Sequence, residues 1–152
     1  MTELETAVHA AKEVGKMLRA NFNRPKNVDE AHHHDLKLAL DRESQDLITE
    51  IILKEFPTHA IYGEEGLAGD QSSDHQWIVD PIDGTKSFIC GVPLYSTLIA
   101  IEKDGLAFAG AIYIPATGEM VFAADGTGCW YRQSDGDNWT RCQVSEKSQL
   151  DQ

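Results

Sequence analysis

The chain has 152 residues, enough for one domain with a hydrophobic core, and its 41% hydrophobic and 25% charged residues exclude a disordered or fibrous protein. A formal net charge of -12 disfavours nucleic acid and anionic membrane surfaces as partners, because both are negatively charged. Three widely spaced cysteines, no secretory-type start and no apolar run long enough for a membrane span predict a cytoplasmic protein.

Two helices are predicted in the first half of the chain. Apolar residues at spacings of three and four predict an amphipathic helix from about Glu3 to Phe22, which Pro25 ends. Alternating apolar and polar residues from Asp35 to Asp41 predict a short extended segment. A second helix is expected next, ended by Pro57, with a buried face formed by Leu47, Ile48, Ile51, Ile52 and Phe56.

The second half is predicted to consist mostly of short strands. Turn residues at Asp104-Gly105 and Thr117-Gly118 indicate tight reversals between antiparallel neighbours, and a polar loop is expected from Gln133 to Gln152. Helices followed by a strand meander predict an α+β fold in which paired helices cover one face of an antiparallel sheet. The strands are predicted at Ala60–Gly63, Trp77–Asp80, Leu94–Glu102, Leu106–Ile114 and Glu119–Ala124, with a further glycine-rich strand at Gly126–Trp130.

The segment from Trp77 to Phe88 concentrates the residues that indicate chemistry. An apolar run places Asp80 at the end of a predicted strand, and Pro81 is expected to turn the chain so that Asp83 returns to the same place. With the Ile82 carbonyl between them, these hard oxygen ligands predict a Mg²⁺ site. Taken alone, the Asp-Pro and Asp-Gly pairs are also ordinary turn formers.

Further candidate residues flank this segment. Glu64 and Glu65 precede it at the end of a predicted strand, and only one of them is expected to face the carboxylates, because adjacent strand residues point to opposite faces. Gly84 and Thr85 are predicted to begin a short helix whose free N–H groups receive a phosphate oxygen. Lys86 either attracts the anionic substrate or is a surface charge.

The sequence G-E-E at residues 63–65, followed by W-I-V-D-P-I-D-G-T-x-x-F at residues 77–88, is similar to the signature of the inositol monophosphatase superfamily. That superfamily of magnesium-dependent phosphomonoesterases also includes histidinol phosphatases, nucleotide 3'-phosphatases and fructose bisphosphatases. The resemblance covers essentially the whole chain and implies a catalytic Glu64, an Asp41 that supports the metal-bound water, and a Thr85 that orients the nucleophile. From its position alone, Asp41 is a helix N-cap. The metal ligands implied for two or three Mg²⁺ ions, or Mn²⁺ as a substitute, are Glu64, Asp80, the Ile82 carbonyl and Asp83.

Within the superfamily, T-K-S-F-I-x-G-x-P-L at residues 85–94 resembles the histidinol phosphatase branch more than inositol monophosphatase proper. We therefore expect hydrolysis of a small phosphate monoester by a metal-activated water, with histidinol phosphate as the first substrate. Inositol monophosphate and nucleotide 3'-phosphates stay as alternatives.

The superfamily's second signature, a tryptophan followed by aspartate, does not occur in the sequence. Residues 1–152 are therefore expected to form only the N-terminal, metal-binding domain, with little or no activity alone. The resemblance also implies that a homodimer can form. The alternative from another class is a catalytically inactive remnant that acts by association.

Overall fold

The computed structural model describes the backbone of residues 1–24, 28–32 and 35–147, and the side chains of residues 1–24 and 39–147. Every helix in these ranges is too short or too polar to cross a lipid bilayer. The helices are α1 (Glu3–Asn21), α2 (Ala39–Glu55) and α3 (Thr85–Ile89). The strands are β1 (Val28–His32), β2 (Asp35–Leu38), β3 (Ala60–Gly63), β4 (Gly66–Gly69), β5 (His75–Asp83), β6 (Ser96–Lys103), β7 (Leu106–Ile114), β8 (Glu119–Ala124), β9 (Gly128–Arg132) and β10 (Thr140–Cys142).

Eight strands form one sheet in the order β10-β9-β8-β7-β6-β5-β3-β4, and β1 and β2 form a separate hairpin. Neighbouring strands of the large sheet are antiparallel except for β3 and β5, which run parallel. The parallel pair arises because β4 turns back as a hairpin on β3, and the chain then enters β5 on the other side of β3. The predicted α+β fold is confirmed. The prediction that the sheet is antiparallel throughout was wrong for β3 and β5, which are parallel.

The core lies between the helices and one face of the sheet. Thr2 starts α1 with a capping box, because its hydroxyl accepts from the Glu5 amide at 3.2 Å while the Glu5 carboxylate accepts from the Thr2 amide at 2.9 Å. α1 packs on β6, β7 and β8, and α2 packs on α1 and β5. The largest fully buried side chains of this core include Leu18, Ile48, Ile52, Trp77, Phe88, Ile101 and Tyr113.

The opposite face of the sheet is apolar and lies open. Ile78 and Ile112 are 41% and 42% exposed there, on strands whose alternate residues are buried under the helices. The middle of this outer face forms an apolar concavity of about 440 Å³, and Asp80 is one of the residues that line it.

Several predicted boundaries need correction. α2 begins at Ala39, so Leu40 and Asp41 are helical rather than extended. The segment Gln133–Gln152 contains β10, which pairs with β9, whereas residues 148–152 lie outside the described residues. Pro25, predicted to end α1, also lies outside them. The reversals at Asp104-Gly105 and Thr117-Gly118 are confirmed as the links from β6 to β7 and from β7 to β8.

Candidate metal and phosphate site

The parallel pairing of β3 and β5 brings the two predicted acidic elements together. Gly63 lies opposite Val79, and the Glu64 amide donates to the Val79 carbonyl at 3.0 Å. Glu64 follows Gly63 and Asp80 follows Val79, so the two acidic residues lie side by side at the ends of the paired strands, close enough for Glu64 to raise the pKa of Asp80. Glu65 instead uses its backbone amide to contact α2. Glu64 is therefore the member of the acidic pair that faces Asp80.

Burial and like charges together perturb Asp80. Burial of the carboxyl group, followed in importance by the Glu64 carboxylate and then by Asp83, raises the pKa of Asp80 to about 7. Its Oδ1 atom is buried and has no hydrogen-bond partner among the described residues. A buried carboxylate oxygen of this kind is costly unless a proton or a cation satisfies it.

Asp83 lies at the end of β5, beyond a register shift. The strand continues through Pro81 rather than turning there. Proline has no N–H to donate to a strand ladder, and Pro81 lies within the irregularity between Asp80 and Asp83, where the regular pairing with β6 is interrupted. The Pro81 carbonyl accepts from the Thr97 hydroxyl at 2.9 Å. Asp83 is exposed, and it accepts from the Ser96 hydroxyl at 3.3 Å. The predicted turn at Pro81 was wrong, although Asp83 still lies near enough to act on Asp80.

The Ile82 carbonyl and Thr85 contact each other. The Thr85 hydroxyl donates to the Ile82 carbonyl at 2.9 Å, at the start of α3. Gly84 precedes this helix with a φ of 87°, and a Cβ at this position would lie 2.8 Å from the Leu94 carbonyl oxygen. Only glycine fits this left-handed and crowded position without strain. Lys86 is exposed in the single turn that follows.

Asp41 is buried in the first turn of α2, as its third residue. Because α2 begins at Ala39, Asp41 is not the N-cap that its position in the sequence indicated. It is not among the groups that shift the pKa of Asp80. Its role beside the metal stays a prediction.

Sequence reasoning missed Gln45. This side chain is only 6% exposed, on the same face of α2 as Asp41, Ile48 and Ile52. The sequence contained a signal for it, because Asp41, Gln45, Ile48 and Ile52 follow one another at spacings of four, three and four, which places Gln45 on the buried face of the helix. Its two amide atoms hydrogen-bond to the loop that carries Glu64.

The donor chemistry of this edge suits a hard divalent cation. Glu64, Asp80 and Asp83 supply carboxylate oxygens, and one oxygen of Asp80 has no partner in the described part of the chain. Among the described residues, however, no group of three or more histidine, cysteine, aspartate or glutamate side chains lies in an arrangement that could hold a metal ion. Glu64 and Asp80 are the two carboxyl groups that the fold places side by side.

Comparisons with known proteins agree on one family. A sequence profile of the inositol monophosphatase family matches residues 1–152. A fructose-1,6-bisphosphatase/inositol-1-monophosphatase of Aquifex aeolicus is 36% identical over 129 residues, which cover 84% of this chain and 49% of that protein. A histidinol-phosphatase of Chlorobaculum parvum is 36% identical over 133 residues, which cover 87% of this chain and 51% of that protein.

Solved structures show the same relationship. The structure of an IMPase from Thermotoga maritima is 33% identical and superposes with a TM-score of 0.84, covering 99% of this chain and 56% of that one. The present chain therefore spans about half the length of the curated relatives it matches.

Proposed function

The chain belongs to the inositol monophosphatase family, and we propose that it carries the metal- and phosphate-binding part of a magnesium-dependent phosphomonoesterase. The observation that carries the proposal is the Glu64–Asp80 pair, with its buried and unpartnered Asp80 oxygen. Two carboxyl groups held together at the ends of parallel strands repel each other when both are ionised, and a divalent cation between them removes that repulsion.

The proposed ligands are Glu64, Asp80, Asp83 and the Ile82 carbonyl, all at one edge of the sheet. When bound, Mg²⁺ supplies positive charge that activates water and stabilises a departing alkoxide. With a pKa of about 7, Asp80 is partly protonated near neutrality, and it must lose this proton to bind a metal ion. We therefore expect the affinity for Mg²⁺ to increase as the pH rises.

The first turn of α3 is the proposed phosphate contact. Gly84 allows the backbone to pass close to the Leu94 carbonyl, and no side chain among the described residues caps the turn. Thr85 follows directly, and its hydroxyl bridges to the Ile82 carbonyl, a proposed metal ligand. Thr85 thus couples the proposed phosphate contact to the proposed metal site. Lys86, exposed on the same turn, supplies the positive charge that attracts an anionic substrate.

The proposed substrate is a small phosphate monoester, with histidinol phosphate first and an inositol monophosphate second. The histidinol-phosphatase of C. parvum and the fructose-1,6-bisphosphatase/inositol-1-monophosphatase of A. aeolicus are both 36% identical to this chain, so sequence identity does not rank the two substrates. The motif at residues 85–94 supports histidinol phosphate. Calorimetric binding of the two compounds to the Mg²⁺-loaded chain under equal conditions tests this order without requiring turnover, and tighter binding of inositol 1-phosphate would reverse it.

Metal titration is the primary test. Isothermal titration calorimetry with Mn²⁺ and Mg²⁺ at about pH 8 is expected to detect binding by the parent chain and none by Asp80→Asn. Asp46→Asn is the matched control, because Asp46 is an exposed carboxylate on α2 and not a proposed ligand. A parent chain that binds neither ion would favour the folded, inactive remnant instead.

A further inference from the structure

Gln45 is a buried polar side chain that the proposed chemistry does not yet use. It lies on the apolar face of α2, where a hydrophobic residue would continue the packing of Ile48 and Ile52. A buried amide is costly unless both its donor and its acceptor are satisfied. Both are satisfied here, and by one loop.

The Gln45 amide spans the turn between β3 and β4. Its Oε1 accepts from the Glu65 amide at 2.7 Å, and its Nε2 donates to the Gly66 carbonyl at 3.0 Å. Gly63 makes room for it, because a Cβ at residue 63 would overlap the Gln45 side chain. The loop residues before and after Glu64 are therefore shaped around this one side chain.

The turn needs such a support because Glu64 lies against another carboxyl group. The Glu64 amide is held to β5 through the Val79 carbonyl, and Gln45 holds the following residue to α2. These two contacts fix the backbone on both sides of the Glu64 Cα, so that its side chain stays beside Asp80 despite the repulsion of like charges.

We propose that Gln45 is a positioning residue, which holds the Glu64 turn so that Glu64 and Asp80 can bind one divalent cation together. The inference rests on the proposed metal-binding function, and it adds a residue of α2 that contacts backbone atoms rather than the ion. Partners of this kind typically change metal affinity by roughly 10- to 100-fold when they are lost.

Gln45→Met tests the proposal, because methionine keeps the length of the side chain and removes both hydrogen bonds. We expect Mn²⁺ affinity, measured by calorimetry on the folded chain, to fall roughly 10- to 100-fold. Gln71→Met is the control, since Gln71 donates to the Ala68 carbonyl of β4 at 2.6 Å and to the Ile61 carbonyl of β3 at 3.5 Å, but to no residue of the Glu64 turn. The Mn²⁺ affinity of this variant is expected to stay within about twofold of the parent, because both partners lie outside that turn.

Amide hydrogen exchange in the metal-free chain gives a second, independent readout. The Glu65 amide is expected to exchange at least tenfold faster in Gln45→Met, relative to the Ile61 amide of β3 as an internal reference. Gln45→Glu keeps the acceptor for Glu65, so its Glu65 amide is expected to stay protected. This variant also serves if Gln45→Met does not fold. A Glu65 amide that exchanges as fast in the parent as in an unstructured peptide would overturn the proposed contact.

The outcomes separate the inference from the function on which it rests. A parent chain that binds Mn²⁺ together with a folded Gln45→Met of equal affinity would overturn the role of Gln45 and leave the proposed function standing. A parent chain without Mn²⁺ binding would overturn the proposed function and, with it, the metal-related role of Gln45.

Discussion

Replacing Asp80 with asparagine is expected to stabilise the metal-free chain while it destroys the proposed metal site. The carboxyl group is half-buried and lies beside Glu64, and burial together with this like charge raises its pKa to about 7. An amide of the same shape carries no charge and therefore avoids the cost of ionisation in this place.

The sign and size of the effect follow from linkage. Because the pKa of Asp80 is higher in the folded chain than in the unfolded chain, the stability that its proton provides is complete below about pH 4 and is lost as the pH rises to about 7. A rise from 3.8 to about 7 corresponds to at most about 4 kcal/mol. Asp80 is only half-buried, so water screens this interaction and we expect a gain of about 1–2 kcal/mol for Asp80→Asn at about pH 8.

Urea unfolding in the presence of a chelator measures this difference. The advantage of Asp80→Asn over the parent in free energy of unfolding is expected to be largest at about pH 8 and to shrink towards zero near pH 4. Asp46→Asn is expected to stay within about 0.5 kcal/mol of the parent at both values, because its side chain is exposed. Equal stability of parent and Asp80→Asn at about pH 8 would refute the electrostatic account of the pair.

Three further outcomes are expected. Mg²⁺ at about 100 times its dissociation constant is expected to raise the parent's free energy of unfolding by about 2.7 kcal/mol at about pH 8 and to leave that of Asp80→Asn unchanged. An equal rise in both chains would mean that the ion binds at another site. Gly84→Ala lowers thermal stability by about 1–3 kcal/mol, because residue 84 has a positive φ and a Cβ there would crowd the Leu94 carbonyl, whereas an unshifted melting curve would contradict that geometry. Trp77→Ala is expected to lower the free energy of unfolding, measured in urea, by about 3–5 kcal/mol, because Trp77 is fully buried and its Nε1 donates to His59 at 3.0 Å. A decrease of less than about 1 kcal/mol would mean that the core is packed differently.

The periodic parts of the fold could be predicted from the sequence. The apolar spacing of α1 and the strands at Ala60–Gly63, Leu106–Ile114 and Glu119–Ala124 match the structure closely. The buried stripe of α1 has a helical period, whereas β3, in which Ala60 and Ile61 are both buried, could be found only as a short apolar run before glycine. β4 was missed, since it is a four-residue strand bounded by glycines, with most of its residues exposed. β10 was also missed. Its three residues lie in a polar segment without a strand pattern, and they form a strand by pairing with β9.

The sequence indicated which acidic residues the candidate site contains, but not how the fold brings them together. The motif indicated Glu64, Asp80 and Asp83, and the structure places Glu64 beside Asp80 with Asp83 close enough to perturb it. The parallel register that joins them could not be read from local patterns, because it depends on which side of β3 the chain enters β5. Gln45 escaped for a similar reason: a polar residue on a helix reveals its partner only when the distant loop is folded against it.

The parallel register of β3 and β5 also decides where the chain tolerates a change of length. An insertion within β5 ahead of Asp80 would slip the strand by one residue and turn this carboxylate under the helices, because side chains alternate between the two faces. An extra residue in the exposed turn from Asp70 to Asp74 leaves both strands in register. Insertions and deletions compatible with the site are therefore confined to such turns, and the stretch from Trp77 to Asp80 has to keep its length.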